Sequence, residues 1–188
     1  MTAAPGHARA VRFDRYGDRN VLYIADIPVP RPAPDEVLVE VRAAGINPGE
    51  TAIRSGALHE RFPAAFPSGQ GSDLAGTVLE TGRDVSEFAP GDEVLGYSWQ
   101  RSSHATHAVV PAAQLICKPG ELSWPVAGSL YVAACTAWAA VDAVETPGRA
   151  RQSPSPPPPA ESAASSSNSS PCAASASWPS PRPAEHPG

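Results

Sequence analysis

The chain has 188 residues, a net charge of −5 and 18% charged side chains, which suits one folded domain, or one domain and the start of a second. A pI near 5.5 argues against binding to nucleic acid or to acidic membrane surfaces. The cysteines Cys117, Cys135 and Cys172 are odd in number and unevenly spaced, which favours a reducing, cytoplasmic location over a disulfide framework.

Short strands with glycine and proline between them dominate the first two thirds of the chain. In residues 36–42, Val37, Val39 and Val41 fall on one face, and the other face carries three charged side chains and Leu38, which predicts a half-buried strand. This pattern predicts a mainly β fold, built as a partly open barrel with short helices. The predicted strands cover residues 8–13, 36–42, 73–81, 93–97, 105–110 and 115–118.

Two helices are expected. Asn47 is placed to cap a short helix over residues 47–55, with Pro48 in its first turn and Gly56 after its end. Residues 123–146 predict one long helix that leaves the barrel. Because this stretch contains polar residues such as Asp142, it fits a core helix better than a membrane span.

The last part of the chain, residues 149–188, has a different composition. It consists mostly of Pro, Ser and Ala, and Trp178 is its one large apolar side chain. Such a segment cannot bury enough apolar area to offset the roughly 1–2 kcal/mol of backbone entropy lost per ordered residue. We therefore expect a disordered tail and a folded part that ends near Gly148.

Five motifs occur in order at a characteristic spacing, and together they resemble one protein family. The chain looks like the N-terminal, GroES-like domain of the medium-chain dehydrogenase/reductase superfamily, in its zinc-free quinone oxidoreductase branch. The resemblance covers residues 8–148. The motifs are Ala43-Ala-Gly-Ile-Asn-Pro-Gly-Glu50, Ile53-Arg-Ser-Gly56, Gly71-Ser-Asp-Leu-Ala-Gly76, Phe88-Ala-Pro-Gly-Asp-Glu-Val94 and Thr136-Ala-Trp138.

The resemblance implies a substrate domain that works with a dinucleotide-binding domain. In the intact family, NADPH lies between the two domains and gives a hydride to a quinone or an α,β-unsaturated carbonyl. Zinc-dependent members carry Cys, His-Glu and a third ligand where this chain has Asn47, Ser72-Asp73 and Val132. These side chains do not supply the three ligands that zinc needs, so no metal is expected.

Asn47 and Thr136 are the candidate catalytic and cofactor-binding residues. The Asn47 amide matches a position at the mouth of the cleft, where it can donate to a carbonyl or to the nicotinamide. Alternatively, Asn47 only caps the following helix. Thr136 matches a position near the nicotinamide, or its hydroxyl only bonds back to a carbonyl one turn earlier.

Several neighbouring residues favour plainer interpretations. Arg54 is expected on a solvated helix face and Glu50 in a structural role. His104 and His107 are expected at the surface or at a rim, on opposite faces of a strand, and Cys135 as a buried thiol. Ala52 stands where other members often carry an aromatic ring, which weakens the case for quinone stacking there; the pocket is expected to depend on residues 47–66 and 97–107.

The glycine-rich turn that cradles a pyrophosphate is missing from the sequence as written. Read one nucleotide out of frame in GC-rich codons, residues 153–164 allow Val-Ala-Val-Ser-Ala-Ala-Ala-Gly-Gly-Val-Gly-Ser, which is a strand and such a turn. We infer that a frameshift near residues 148–150, genuine or a sequencing error, replaced the cofactor domain. A natural Pro/Ser/Ala tail is the alternative.

These features predict that this chain by itself is inactive and binds no NADPH. Without a dinucleotide-binding domain to pack against, an apolar face on residues 123–146 is expected to be exposed and to favour self-association. A second possibility is a non-catalytic binding or interaction module with a disordered tail.

Sequencing the gene across codons 148–150 tests the frameshift. We expect the neighbouring frame to encode Gly-Gly-Val-Gly shortly after the junction. A single intact frame, with no such turn in the frame beside it, would remove this interpretation.

Overall fold

The computed structural model of the protein describes residues 6–145 and Cys172. Within them, eight strands and three α-helices form. The strands are β1 (His7–Phe13), β2 (Tyr23–Pro28), β3 (Glu36–Ala43), β4 (Ser68–Gly69), β5 (Asp73–Thr81), β6 (Glu93–Tyr97), β7 (His107–Pro111) and β8 (Leu115–Cys117). The helices are α1 (Pro48–Ser55), α2 (Trp124–Ala127) and α3 (Leu130–Glu145).

The strands form two antiparallel sheets that join along one side. The larger has the order β7-β3-β5-β6-β8, and the smaller has the order β2-β1-β4. At the join, Val11 N donates to His104 O and Thr106 N donates to Arg9 O, both at 2.8 Å. This arrangement confirms the predicted mainly β fold, a partly open barrel followed by a long final helix.

The larger sheet is buried on both faces. Its inner face carries the main core, and α2 covers the outer face, where Ala127 packs against Ala75 and Leu95. Leu38 is also buried, so β3 is not the half-buried strand that its alternation predicted. The main core is built from Val37, Val39, Leu74, Val78, Phe88, Val94, Ala108, Val110, Ala112 and Leu115.

The predicted strands are found, and two further strands were missed. β5 and β6 have the predicted limits, because each combines β-branched or apolar residues with a clear turn at its end. β2 was missed because it is an edge strand that pairs with β1 alone among the described strands and buries no residue fully. β4 has two residues, which is too short for any periodicity.

Helix α1 follows the sequence prediction closely. It begins at Pro48 and ends before Gly56, whose φ of 86° is left-handed, as the last turn of a helix commonly requires. Asn47 occupies the N-cap position, but its side chain makes no capping hydrogen bond. The side chain is therefore available for the contact described below.

The prediction of one helix over residues 123–146 is wrong in one respect, because the helix is divided into α2 and α3. The chain passes so close to β3 at Gly128 that an added Cβ would lie 2.6 Å from the backbone carbon and oxygen of Ala43. A close approach of this kind needs glycine, and glycine also weakens a continuous helix. Helix α3 therefore begins anew at Leu130.

The cysteines do not follow the pattern expected of a reducing environment. Cys117, at the end of β8, forms a disulfide with Cys172, and both pack against the main core. Cys135 is free and exposed on α3, not buried as predicted. Apart from Cys172, the predicted disordered tail (residues 149–188) lies outside the described residues, as does the junction at 148–150.

Candidate functional site

A buried carboxylate lies at the centre of the candidate site. Asp73 is the first residue of β5, the middle strand of the larger sheet, and its side chain is only 1% exposed. One carboxylate oxygen accepts a hydrogen bond from Asn47 Nδ2 at 3.4 Å. The other accepts from the backbone N of Val132 at 3.2 Å. Asp73 therefore ties the loop before α1 to the first turn of α3.

The second predicted site residue joins the same group through Val132. The Thr136 hydroxyl donates to Val132 O at 2.7 Å, which is the helix-internal bond of the plainer interpretation. Thr136 is exposed on α3. The structure thus links the two candidates in one hydrogen-bonded series, from Asn47 through Asp73 and Val132 to Thr136. We call these four residues the polar series.

Two glycines allow the backbones around Asp73 to meet. A Cβ on Gly45 would lie 3.1 Å from the Asp73 carboxylate, from Gly128 O and from the Cα of Ser129. That spacing is tighter than most side-chain contacts, so glycine at position 45 lets the loop before α1 lie against the α2–α3 junction without displacing it.

The charge state of Asp73 reflects competing influences. Burial raises the pKa of the Asp73 carboxyl above its ordinary value of 3.8, and the neighbouring Glu50 charge raises it further. The hydrogen bonds from Asn47 and from the Val132 N–H oppose this rise because they favour the ionised form. Burial dominates, so the net pKa of Asp73 is raised.

A second buried group supports the loop that carries Asn47. Glu50 is 4% exposed and accepts a hydrogen bond from Ser72 N at 3.0 Å. The His104 ring nitrogen Nε2 lies 2.8 Å from Gly45 O, and bonds to it when it carries the proton. These contacts favour the structural role expected of Glu50.

Two of the plainer expectations need correction. Arg54 is buried at 8% exposure, although we expected a solvated helix residue. His107 is buried as well, whereas His104 is half-buried, with a side chain that is 15% exposed. Strand periodicity alone does not reveal how far either histidine is covered.

The positions that carry zinc ligands in the zinc-dependent branch converge here. Asn47 and Val132 both contact Asp73, and Ser72 is its chain neighbour. Across residues 6–145 and Cys172, no three His, Cys, Asp or Glu side chains come close enough together to hold a metal ion. The donors present are one amide, one hydroxyl and one carboxylate, whose two oxygens already accept hydrogen bonds.

A row of four aromatic side chains begins beside Asp73. The ring centroids of Tyr131 and Tyr97 are 5.1 Å apart, those of Tyr97 and Trp99 6.0 Å, and those of Trp99 and Phe62 6.0 Å. Sequence analysis missed this row because the rings come from three separate segments. Three of the four do lie within residues 47–66 and 97–107, where the pocket was expected.

The comparison with protein families identifies the domain. Residues 33–141 match the alcohol dehydrogenase GroES-like domain. The chain belongs to this family. Within it, the GroES-like domain described above lies in the quinone oxidoreductase-like branch of the medium-chain dehydrogenase/reductase superfamily, as the motifs indicated.

Individual relatives agree with this placement. The mouse quinone oxidoreductase is 38% identical over 133 residues, which are 69% of this chain and 40% of that protein. The Coxiella burnetii quinone oxidoreductase superposes with a TM-score of 0.68 at 31% identity, over 74% of this chain and 45% of the other. The Escherichia coli enzyme in complex with NADPH gives 0.66 at 28%, over 71% and 40%.

The GroES-like domain thus corresponds to part of a longer protein in its relatives, since the chain spans about two fifths of the mouse enzyme. No helix within residues 6–145 is both long and apolar enough to cross a membrane.

Replacing Asp73 by Asn tests the electrostatic balance at the site. Because the folded-state pKa is raised, the folded protein holds this proton more tightly, and stability falls as pH rises from 3.8 through the raised pKa. Asn keeps the shape and can still accept from Val132 N. We expect Asp73→Asn to remove this part of the pH dependence, measured by urea unfolding from pH 4 to 7.

The exposed Asp84, with a side chain 64% exposed, provides the matched control. Asp84→Asn should leave the pH profile of the free energy of unfolding unchanged. An unchanged profile for Asp73→Asn as well would contradict the assignment of this proton to Asp73.

Proposed function

We propose that this chain is the substrate domain of a zinc-independent, NADPH-dependent reductase of quinones or α,β-unsaturated carbonyls. The observation that supports the proposal is the polar series, in which the buried Asp73 carboxylate accepts from Asn47 and from the N–H of Val132, whose carbonyl accepts from Thr136. The substrate domain comprises residues 8–148, and residues 149–188 stand where relatives continue into a dinucleotide-binding domain. Membership of the quinone oxidoreductase-like branch supports the reaction class.

The donors at the site support zinc independence. A catalytic zinc takes three protein ligands from Cys, His or carboxylate groups. Here Val132 contributes only a backbone N–H, and that N–H bonds Asp73. The Asn47 amide bonds the other oxygen of Asp73, and among the described residues no two further His, Cys, Asp or Glu side chains lie close enough to complete a metal site with Asp73.

Asn47 is the residue that polarises the substrate. Its side-chain nitrogen carries two hydrogens, and Asp73 accepts one of them. The carboxylate fixes the orientation of the amide, so the second hydrogen is held ready for a carbonyl oxygen that gains negative charge during reduction. Thr136, on the same hydrogen-bonded series, lies on the exposed side of α3, where it positions the reactants.

NADPH, when bound in an intact relative, supplies the hydride. This chain offers no turn for its pyrophosphate, since its sequence contains no G-x-G-x-x-G or Gly-Gly-Val-Gly. We therefore propose that the chain as given neither holds NADPH nor catalyses reduction, and that the substrate half of the site is preserved within it.

A fusion experiment tests this function. The dinucleotide-binding domain of the E. coli quinone oxidoreductase is joined after residue 148. We expect the fusion to bind NADPH and reduce a quinone, and the unfused chain to show no binding at micromolar NADPH. In the fusion, Asn47→Ala should lower kcat about 100-fold, as loss of one such donor does.

The exposed Asn20 supplies the control, because Asn20→Ala makes the same change outside the site and should leave kcat as it was. If the fusion binds NADPH and yet reduces neither quinones nor enones, the domain is a non-catalytic binding or interaction module.

We also propose that the chain self-associates through α3. The predicted self-association depends on an apolar face of α3. Trp138 and Val141 form its most exposed part, at 75% and 52% exposure. Ala133 is also exposed, and Leu130 and Val132 are half-buried. Exposed apolar patches of this kind favour contact with a second molecule.

Sedimentation velocity of the purified chain checks this proposal. We expect a concentration-dependent rise in sedimentation coefficient, which Trp138→Ser should reduce strongly. The matched change Trp124→Ser, at a half-buried ring outside this face, should lower stability without abolishing association. A strictly monomeric wild-type chain at high concentration would contradict self-association.

A further inference from the structure

The disulfide between Cys117 and Cys172 fastens the last part of the chain to the main core. On β8, Leu115 is 5% exposed and Ile116 is 61% exposed. Because side chains along a strand point to opposite faces in turn, Cys117 points inward with Leu115. Both cysteines of the bond pack against the main core. Cys172 therefore covers part of this core from outside the sheet.

The bond is within reach of a small thiol. Neither Cys117 nor Cys172 is fully buried. In addition, β8 lies at the edge of the larger sheet and pairs with β6 alone among the described strands. Thiol–disulfide exchange requires a thiolate to reach one of the two sulfurs, so disulfides that are accessible in this way are the labile ones.

The connection that leads to Cys172 contributes little to bringing the two sulfurs together. Residues 146–171 follow α3 and contain no Val, Ile, Leu, Met, Phe, Tyr or Trp. A connection of this composition gains little from burial, so we expect it to hold one thiol near the other at an effective concentration of about 1–10 mM. A monothiol at millimolar concentration competes with a cysteine pair of this kind.

We infer that Cys117 and Cys172 form a reversible redox switch, which fastens the C-terminal segment to the main core when oxidised and releases it when reduced by glutathione. Reduction separates Cys172 from β8 and uncovers the apolar surface that it protects. The inference is independent of the reductase function, because neither cysteine belongs to the polar series.

The exchange proceeds in two steps. One glutathione thiolate attacks a sulfur of the Cys117–Cys172 bond, which breaks and leaves a mixed disulfide and one protein thiolate. A second glutathione thiolate attacks the mixed disulfide and releases the other protein thiolate. In sum, the protein disulfide gains two electrons and two protons to give two thiols, and two glutathione molecules are oxidised to one glutathione disulfide. The reverse reaction restores the bond.

A redox titration of the full chain tests the switch. The protein is equilibrated with mixtures of reduced and oxidised glutathione and quenched with acid, and the thiols that react with maleimide are counted by mass. We expect the count to fall from three to one. The midpoint should lie where the squared concentration of reduced glutathione divided by that of glutathione disulfide is about 1–10 mM.

A fluorescent dye that binds apolar surface reports the release of the segment. The fluorescence of 8-anilinonaphthalene-1-sulfonate should rise on reduction with the same midpoint as the thiol count, because part of the main core becomes accessible. Cys172→Ser leaves β8 unchanged and should keep the fluorescence at the reduced value in every mixture. Circular dichroism melting verifies that each variant is folded.

The free, exposed Cys135 on α3 supplies the matched control. Cys135→Ser removes a thiol outside the switch, so the count should fall from two to zero with the midpoint unchanged. Peptide mass spectrometry of the oxidised chain should find Cys117 joined to Cys172 within one molecule.

Four results overturn the inference. They are a midpoint above about 100 mM, which indicates a permanent cross-link, the absence of the bond in fully oxidised glutathione, a bond that joins two molecules or includes Cys135, and dye fluorescence that does not change on reduction.

Discussion

The buried Asp73 carboxylate is the interaction on which the arrangement of this domain depends. A carboxylate removed from water is unfavourable unless hydrogen-bond donors replace the lost solvent. Here the donors come from two places far apart in sequence: the Asn47 side chain and the Val132 backbone. Satisfying one side chain therefore fixes both the loop before α1 and the first turn of α3.

The first turn of α3 benefits in return. The first N–H groups of a helix have no partner within it, and the helix dipole favours a negative group at that end. Asp73 satisfies the Val132 N–H, even though burial raises its pKa. The break at Gly128 makes this possible, because an unbroken helix over residues 123–146 would have no free N–H groups near β5.

The same constraint explains why a polar contact and an aromatic surface lie side by side. Antiparallel pairing places Tyr97 opposite Asp73, and helix geometry places Tyr131 next to Val132. The carboxylate that orients the Asn47 amide is thus also the point from which the aromatic row extends.

The sequence by itself determined most of the local structure of this domain. The limits of β5 and β6, the start of α1 at Pro48 and its end at Gly56 follow from periodicity and turn residues. The family, and with it the candidates Asn47 and Thr136, follows from the resemblance that the motifs carry. Tertiary structure decided the rest: the role of Asp73 as the link between those candidates, the division of the last helix, the Cys117–Cys172 bond and the aromatic row. Each of these joins segments distant along the chain, such as Asp73 and Val132, 59 residues apart. Local patterns report which backbone conformation a segment prefers, but only the folded chain determines which segments meet.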